Sequence, residues 1–267
     1  VKTTDDILSL TPPKADARVS YGSDANQFLD LRVPKGKGPH ALAINIHGGF
    51  WRAKYDLGHA GHMCAALTAK GVATANLEYR RVGNAGGGWP GTFADIRSAY
   101  QYLLQSARQY QFDAGRVIVM GHSAGGQLAL CLAVHESAVK AVISLAGVVD
   151  LQRAYMLHLS NDAVVEFLGG TPAEVGDHYR EADPMKLKIV ARQWLVHGAA
   201  DDVVPPAFSR DYVSAKQKVK EGVRLAEIAG AGHFDVVDPR SGAWKEVERV
   251  VMEAGQGLNT GSQRGTG

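Results

Sequence analysis

The chain has 267 residues, 45% apolar and 21% charged, with 29 basic against 27 acidic side chains and a net charge of +2. That suffices for one large globular domain with its own core, since α/β folds reach this size undivided. The even balance of charge leaves no basic footprint for nucleic acid, and no run approaches the roughly 18 apolar residues of a membrane span.

Val1-Lys2-Thr3-Thr4-Asp5-Asp6 opens the chain and lacks the apolar centre of a signal peptide. The expectation is a soluble, cytoplasmic protein. Residues 1–17, with Pro12-Pro13, read as an irregular arm. Arg18–Gly22 and Gln27–Val33 alternate apolar with polar residues, as antiparallel edge strands do. Continuous apolar runs follow at Ala41–Ile46, Val72–Leu77, Val117–Met120, Ala141–Leu145, Gln193–Val196 and Arg224–Ile228, and suit strands buried on both faces. Helical patterns lie between them, at His59–Lys70, Thr92–Tyr110, Ala124–His135, Pro206–Lys220 and Ala243–Glu253. In the second of these, Phe93, Ile96, Tyr100, Leu103, Leu104 and Ala107 fall three or four apart and form one stripe. Strands alternating with helices predict a mostly parallel sheet wound on both faces. Asp150–Leu187 breaks the alternation with helical pieces at Leu151–Leu159, Asp162–Leu168 and Ala173–Arg180, and reads as a cap over a site or as ordinary packing helices. Residues 1–254 are expected to form one domain with that insertion at 150–187, and residues 255–267, rich in Gly, Ser and Thr, a flexible tail. Lys216, Lys218 and Lys220 sit on what reads as an exposed helix face. Cys64 and Cys131 read as buried reduced thiols.

Gly121-His122-Ser123-Ala124-Gly125 stands between an apolar strand and a helix, with a serine at the apex of a tight turn. The five-residue pattern alone arises by chance in roughly one chain in ten of this length, so its partners must carry the case. A serine hydroxyl needs a base to accept its proton and a third group to orient that base. His233 follows the last strand in a loop of small residues. Asp201 and Asp202 both follow the strand ending at Val196. Their side chains diverge, so only one can face the imidazole, and Asp201 is favoured. The developing oxyanion needs N–H donors. Ala124 at the helix N-terminus supplies one, and the loop His47-Gly48-Gly49-Phe50-Trp51 the others. His47 is read as bracing this loop, and Trp51 as lining a pocket or packing.

Together these features resemble the α/β-hydrolase superfamily over about residues 18–254. The loop His47–Trp51 with Gly121–Gly126 is similar to esterases related to hormone-sensitive lipase. It is closer still to kynurenine formamidases, through the pattern H-G-G-x-W. The resemblance implies an eight-stranded sheet, Ser123 as nucleophile, Asp201 as acid through H-G-x-x-D-x-x-V-P, and His233 as base. It also implies Gly48, Gly49 and Ala124 as oxyanion donors. Leu77-Glu78-Tyr79-Arg80 and Gly88–Asp95 belong to the same likeness, with Asp95 read as a structural cap. Phe50 stands where lipase-like relatives carry a third glycine, and His122 where they carry an aspartate. Phe50, Trp51 and His122 are the candidates for the substrate pocket.

The expected function is a carboxylesterase for small to medium acyl substrates, acting through an acyl-enzyme without cofactor or metal. Arylformamidase is the alternative, and a non-catalytic binding protein on the same fold is the alternative of another class. Peptidases of this superfamily often carry a propeller for which the length leaves no room. An interfacial lipase would need a less polar lid than Asp150–Leu187. His59 and His62 are the only close histidine pair, with no third ligand nearby except Cys64. The expected partner is a small-molecule ester or amide, with neither nucleic acid nor membrane; oligomeric state is left open, a homodimer among the options. A histidine base must be neutral to act, so activity is expected to fall on the acid side.

Overall fold

The computed structural model describes residues 7–258. Its centre is a sheet of eight strands: β1 (Ala17–Ser20), β2 (Phe28–Arg32), β3 (His40–Ile46), β4 (Val72–Leu77), β5 (Phe112–His122), β6 (Ala141–Leu145), β7 (Arg192–Gly198) and β8 (Val223–Ile228). They lie in the order β1-β2-β4-β3-β5-β6-β7-β8. β1 and β2 pair antiparallel with each other, and β2 runs antiparallel to β4. Every later pairing is parallel. β1 alternates and the continuous runs within β3 to β7 are buried, as their patterns predict. Two readings are corrected: β2 lies inside β1 and buries Asp30 and Arg32, and Arg224–Ile228, read as buried on both faces, is the other edge of the sheet, with Arg224 and Glu227 exposed because no strand lies beyond β8.

Helices cover both faces. α1 (Gly61–Ala69) and α8 (Trp244–Gln256) bury Met63, Leu67, Val247 and Val251 against Ala43, Ile118, Met120 and Ile143. α2 (Gly91–Gln105), α3 (Ala124–His135) and α7 (Ala207–Lys218) lie on the opposite face with Leu42, Ile44, Val119 and Val142. The alternation Leu42, Ala43, Ile44 along β3 sends successive side chains into the two cores, as the pleat requires. α3 is buried on every side through Ala133, which fits its lack of a polar face. Between β6 and β7 stand three short helices: α4 (Leu151–Met156), α5 (Ala163–Leu168) and α6 (Gly176–Ala182). They form the insertion expected there. Among the described residues no helix is long and apolar enough to cross a membrane.

Several boundaries and roles differ from expectation. α2 stops at Gln105, because the Ala107 carbonyl is taken by the amide of Phe112 at the start of β5 and Gln111 turns the chain with φ 56°. β5 accordingly begins five residues before the predicted run. α8 runs to Gln256, so Gly255 and Gln256, predicted to belong to the tail, are helical; residues 259–267 of that prediction lie outside those described, as do residues 1–6. Lys216 is not on an exposed face. It is buried, donates to the Leu187 carbonyl and stands 3.7 Å from Glu221. Asp95 is no cap, for it lies inside α2 and accepts from the Arg80 amide and guanidinium and from Gln27. Cys64 and Cys131 are free and buried, and burial pushes the Cys64 thiol up to about 12.

Candidate active site

β5 runs into α3 with Ser123 between them at φ 56° and ψ −121°. A serine in this region is strained by about 1–3 kcal/mol, and the turn closes only because its neighbours are glycine. A Cβ at Gly121 would fall on the Gly125 carbonyl, and one at Gly125 on the Ile46 carbonyl. The turn is fixed from behind by the Ser123 amide donating to Leu145 at 2.8 Å. No side chain caps α3. The Gly126 amide turns back to the Ser123 carbonyl at 2.9 Å, which leaves the Ala124 amide at the helix N-terminus, where the dipole favours negative charge.

The loop after β3 lies directly against this turn. A Cβ at Gly48 would stand 2.8 Å from the His122 carbonyl and 2.9 Å from Cβ of Ser123. Gly49, Phe50 and Trp51 follow with φ of 109°, 51° and 57°, a left-handed run held by surrounding bonds. His47 contributes the most. Its Nδ1 lies 2.7 Å from the Gly48 carbonyl and its Nε2 3.0 Å from Glu78 Oε1. Tyr79 stacks on the ring at 4.5 Å and donates its hydroxyl to the His47 carbonyl at 2.7 Å. Glu78 is buried beside Arg81 at 3.0 Å and also accepts from the amides of Leu57 and Tyr79. In a trans peptide the carbonyl and the following N–H point oppositely. A Gly48 carbonyl turned to His47 therefore turns the Gly49 N–H away from it.

The ends of the last two strands supply an acid and a histidine. Asp201, after β7, is buried, and its Oδ2 lies 2.7 Å from Nδ1 of His233, which follows β8. Its Oδ1 accepts from the amides of Val203 and Val204 at 2.9 and 2.8 Å. Burial alone would raise this carboxyl, but hydrogen bonds from His197 and His233 and the Val204 amide hold it well below the usual range. Asp202 is exposed. The His233 loop is closed by the Gly232 amide on Asp235 Oδ2 at 2.6 Å and by the Ala200 amide on the Ala231 carbonyl at 2.9 Å. The Ser123 hydroxyl makes no hydrogen bond among the described residues; catalytic bonds often tighten only once substrate is bound.

The three pocket candidates separate. Phe50 is half-buried at the loop. Trp51 is 1% exposed; it stacks on Phe167 at 4.5 Å and donates Nε1–H to Gln127 at 3.0 Å, so it packs. His122 is likewise 1% exposed, and its Nε2 bonds the His233 carbonyl at 2.9 Å, so it ties two loops together and is no pocket wall. Burial, and then the neighbouring His233, holds His122 well below the ordinary histidine range. His59, whose ring is 5.9 Å from that of His122, is pushed down to about 3 by burial. Among the described residues no group of three His, Cys, Asp or Glu could hold a metal ion. The sequence leaves His197 and Gln127 without a role, and marks Glu78 only as part of the family likeness, without its part in holding His47. The only signal for His197 was its place at the head of the H-G-x-x-D pattern.

A parallel sheet with an antiparallel edge, a serine turn after its fifth strand, and an acid and histidine on the last two strand ends define an α/β-hydrolase fold. The likeness to solved structures is of the same kind. A truncated carbohydrate esterase from gut microbiota matches with a TM-score of 0.78 at 22% identity, covering 92% of this chain and 98% of that one. Esterase B from Lactobacillus Rhamnosis matches with a TM-score of 0.80 at 17% identity, covering 96% and 91%. Within that class the chain belongs to the BD-FAE family, whose model matches residues 29–215. A probable isoprenylcysteine alpha-carbonyl methylesterase of Oryza sativa subsp. japonica is 23% identical over 266 residues. That alignment covers 87% of this chain and 62% of the relative, so the chain spans about three fifths of its length.

Proposed function

We propose that this protein is a serine hydrolase that cleaves carboxylic esters of small to medium acyl substrates through an acyl-enzyme intermediate. One observation carries the reading. His233 stands 2.7 Å from Asp201 through Nδ1, and its own carbonyl is bound to the residue preceding Ser123. Both contacts support a reading in which acid, histidine and serine, carried after β7, β8 and β5, work together at the same end of the strands.

In this reading Asp201 holds His233 with Nδ1 protonated and Nε2 free to take the Ser123 proton. The hydroxyl oxygen attacks the acyl carbon, and the oxyanion forms against the amides of Gly48, Gly49 and Ala124. The imidazolium, stabilised by the Asp201 carboxylate, then protonates the departing alcohol. Water attacks the acyl-enzyme by the same route, His233 taking its proton and returning it to Ser123 as the acid leaves. Three short cap helices with exposed Glu166, Glu174, Asp177, Arg180 and Glu181 support a modest, water-borne substrate over a lipid surface. The esterase names of the relatives support ester over formamide.

A fluorophosphonate probe tests the chemistry: the wild-type protein is labelled and the Ser123→Ala variant is not. Absence of labelling in folded wild-type protein overturns the hydrolase reading in favour of a binding protein. Substrate class is read from kcat/KM for p-nitrophenyl esters of graded chain length against N-formylkynurenine. Preference for the formamide by orders of magnitude would make the protein an arylformamidase.

A further inference from the structure

We infer that His197 is a positioning residue for Asp201, sharing the same carboxylate oxygen with His233 from the other side. This rests on the hydrolase reading above and adds to it a fourth side chain that touches neither substrate nor nucleophile.

His197 lies near the end of β7, fully buried. A buried imidazole in a central strand is costly unless both ring nitrogens find partners. Here Nδ1 lies 2.7 Å from Ser209 Oγ, while Nε2 lies 2.9 Å from the Val204 carbonyl and 3.2 Å from Asp201 Oδ2. The carbonyl and the carboxylate can only accept, so Nε2 carries the hydrogen, and Nδ1 of the neutral ring accepts from the Ser209 hydroxyl. That fixes one tautomer and aims its N–H between two oxygens.

The consequence falls on Asp201. Oδ1 already receives two amides, and Oδ2 faces two imidazoles, His233 at 2.7 Å and His197 at 3.2 Å, so each of the roughly four acceptor positions of the carboxylate has a donor beside it. Its orientation is fixed, and its ionised form is favoured despite burial. Sharing Oδ2 also withdraws charge from the bond to His233. A carboxylate facing His233 alone would bind the imidazole proton more tightly and make the base reluctant to return it. His197 is thereby assigned a part in setting the basicity of His233 as well as its aim. A purely structural histidine tying β7 to Ser209 on α7 would affect folding stability and nothing else.

The test compares His197→Leu with His197→Gln, whose amide N–H reaches about as far as Nε2. His197→Leu is expected to lower kcat/KM about tenfold and to move its acid limb upward by about half a pH unit, with the loss in kcat. NMR titration of His233 is expected to show the same upward shift, and this readout needs no turnover. His197→Gln is expected to recover kcat/KM to within about threefold of wild type. Folded His197→Leu protein with an unchanged His233 titration and unchanged kcat/KM overturns the inference. So does a His197→Gln variant as impaired as Leu. Failure of the hydrolase reading is seen separately, in the absence of fluorophosphonate labelling of the wild-type protein.

Discussion

His122 donates its Nε2–H to the backbone carbonyl of His233 at 2.9 Å, across 111 residues of sequence. Their rings lie 4.6 Å apart. The residue before the serine thus sets the height of the loop that carries the proposed base. Burial favours neutral His122, and in the proposed mechanism this matters because a second imidazolium at this distance would oppose protonation of His233.

His122→Leu removes the donor and leaves the His233 carbonyl unsatisfied in a buried place. Such a loss costs about 1–3 kcal/mol, and the expected result is a fall in kcat of at least about tenfold with little change in KM. His122→Asp is expected to be worse, because an ionised carboxylate cannot donate to a carbonyl. Steady-state kinetics on one p-nitrophenyl ester decides. An Asp variant more active than Leu would show that the tether is unimportant.

Gly48 packs the loop after β3 directly against the serine turn. An added methyl would meet the His122 carbonyl at 2.8 Å and Cβ of Ser123 at 2.9 Å, both on a turn that cannot retreat. Gly48→Ala must therefore move the loop and its amides away from the proposed oxyanion position. Loss of one such donor lowers kcat by about 10²–10³, and this variant is expected to reach that range. The Ser123 hydroxyl should still label slowly with fluorophosphonate. Near-wild-type kcat would remove Gly48 and Gly49 from the oxyanion site.

The serine turn is legible in the chain because everything that makes it is local. An apolar run, two glycines and a helix pattern lie within a few residues of Ser123. Asp201 and His233 are legible for a related reason: the order of strands puts them on successive strand ends. His122, His197 and Arg52 are not legible in this way. Arg52 reaches Glu166, Ser160 and Asn161 across more than a hundred residues, and such contacts depend on which loops the folded sheet brings together. Lys216 misleads for a different reason, since its spacing matches an exposed face while its long stem carries the charge inward to Leu187 and Glu221.

Trp51 joins the loop to the cap and to α3. Its indole donates to Gln127 Oε1 at 3.0 Å, and Gln127 in turn donates to the Ala182 carbonyl at 2.8 Å. Trp51→Phe keeps a ring against Phe167 but leaves Gln127 Oε1 bare, at a cost of about 1–3 kcal/mol. Urea unfolding should show a lower midpoint with unchanged m. Gln127→Leu combined with Trp51→Phe removes both partners and should cost less than the sum of the single changes. An additive double variant would show that the indole bond contributes nothing.

Asp183 gives the fold a pH dependence of unusual sign. It follows α6, its Oδ1 accepting from the amides of Leu151 and Met185 at 3.2 and 3.1 Å, while Oδ2 is buried with no hydrogen-bond partner among the described residues. Burial raises the carboxyl from 3.8 to about 6. The folded protein then binds a proton between about pH 4 and 6 that the unfolded chain has released, so this group makes stability fall as pH rises through that window. Below the unfolded value the penalty is absent, and above about pH 6 it is fully present, of order 2–3 kcal/mol. Asp183→Asn retains an acceptor for the two amides and cannot ionise. It is expected to be more stable than wild type at pH 8, with the advantage shrinking towards pH 5 and gone by pH 4. His59 acts oppositely in both proteins, since its depressed value lowers stability as pH falls below about 6.5, and it cancels in the difference between them. Urea midpoints for the pair at pH 4, 5, 6 and 8 supply the test, and a variant no more stable than wild type at pH 8 would show that the buried carboxylate carries no net cost.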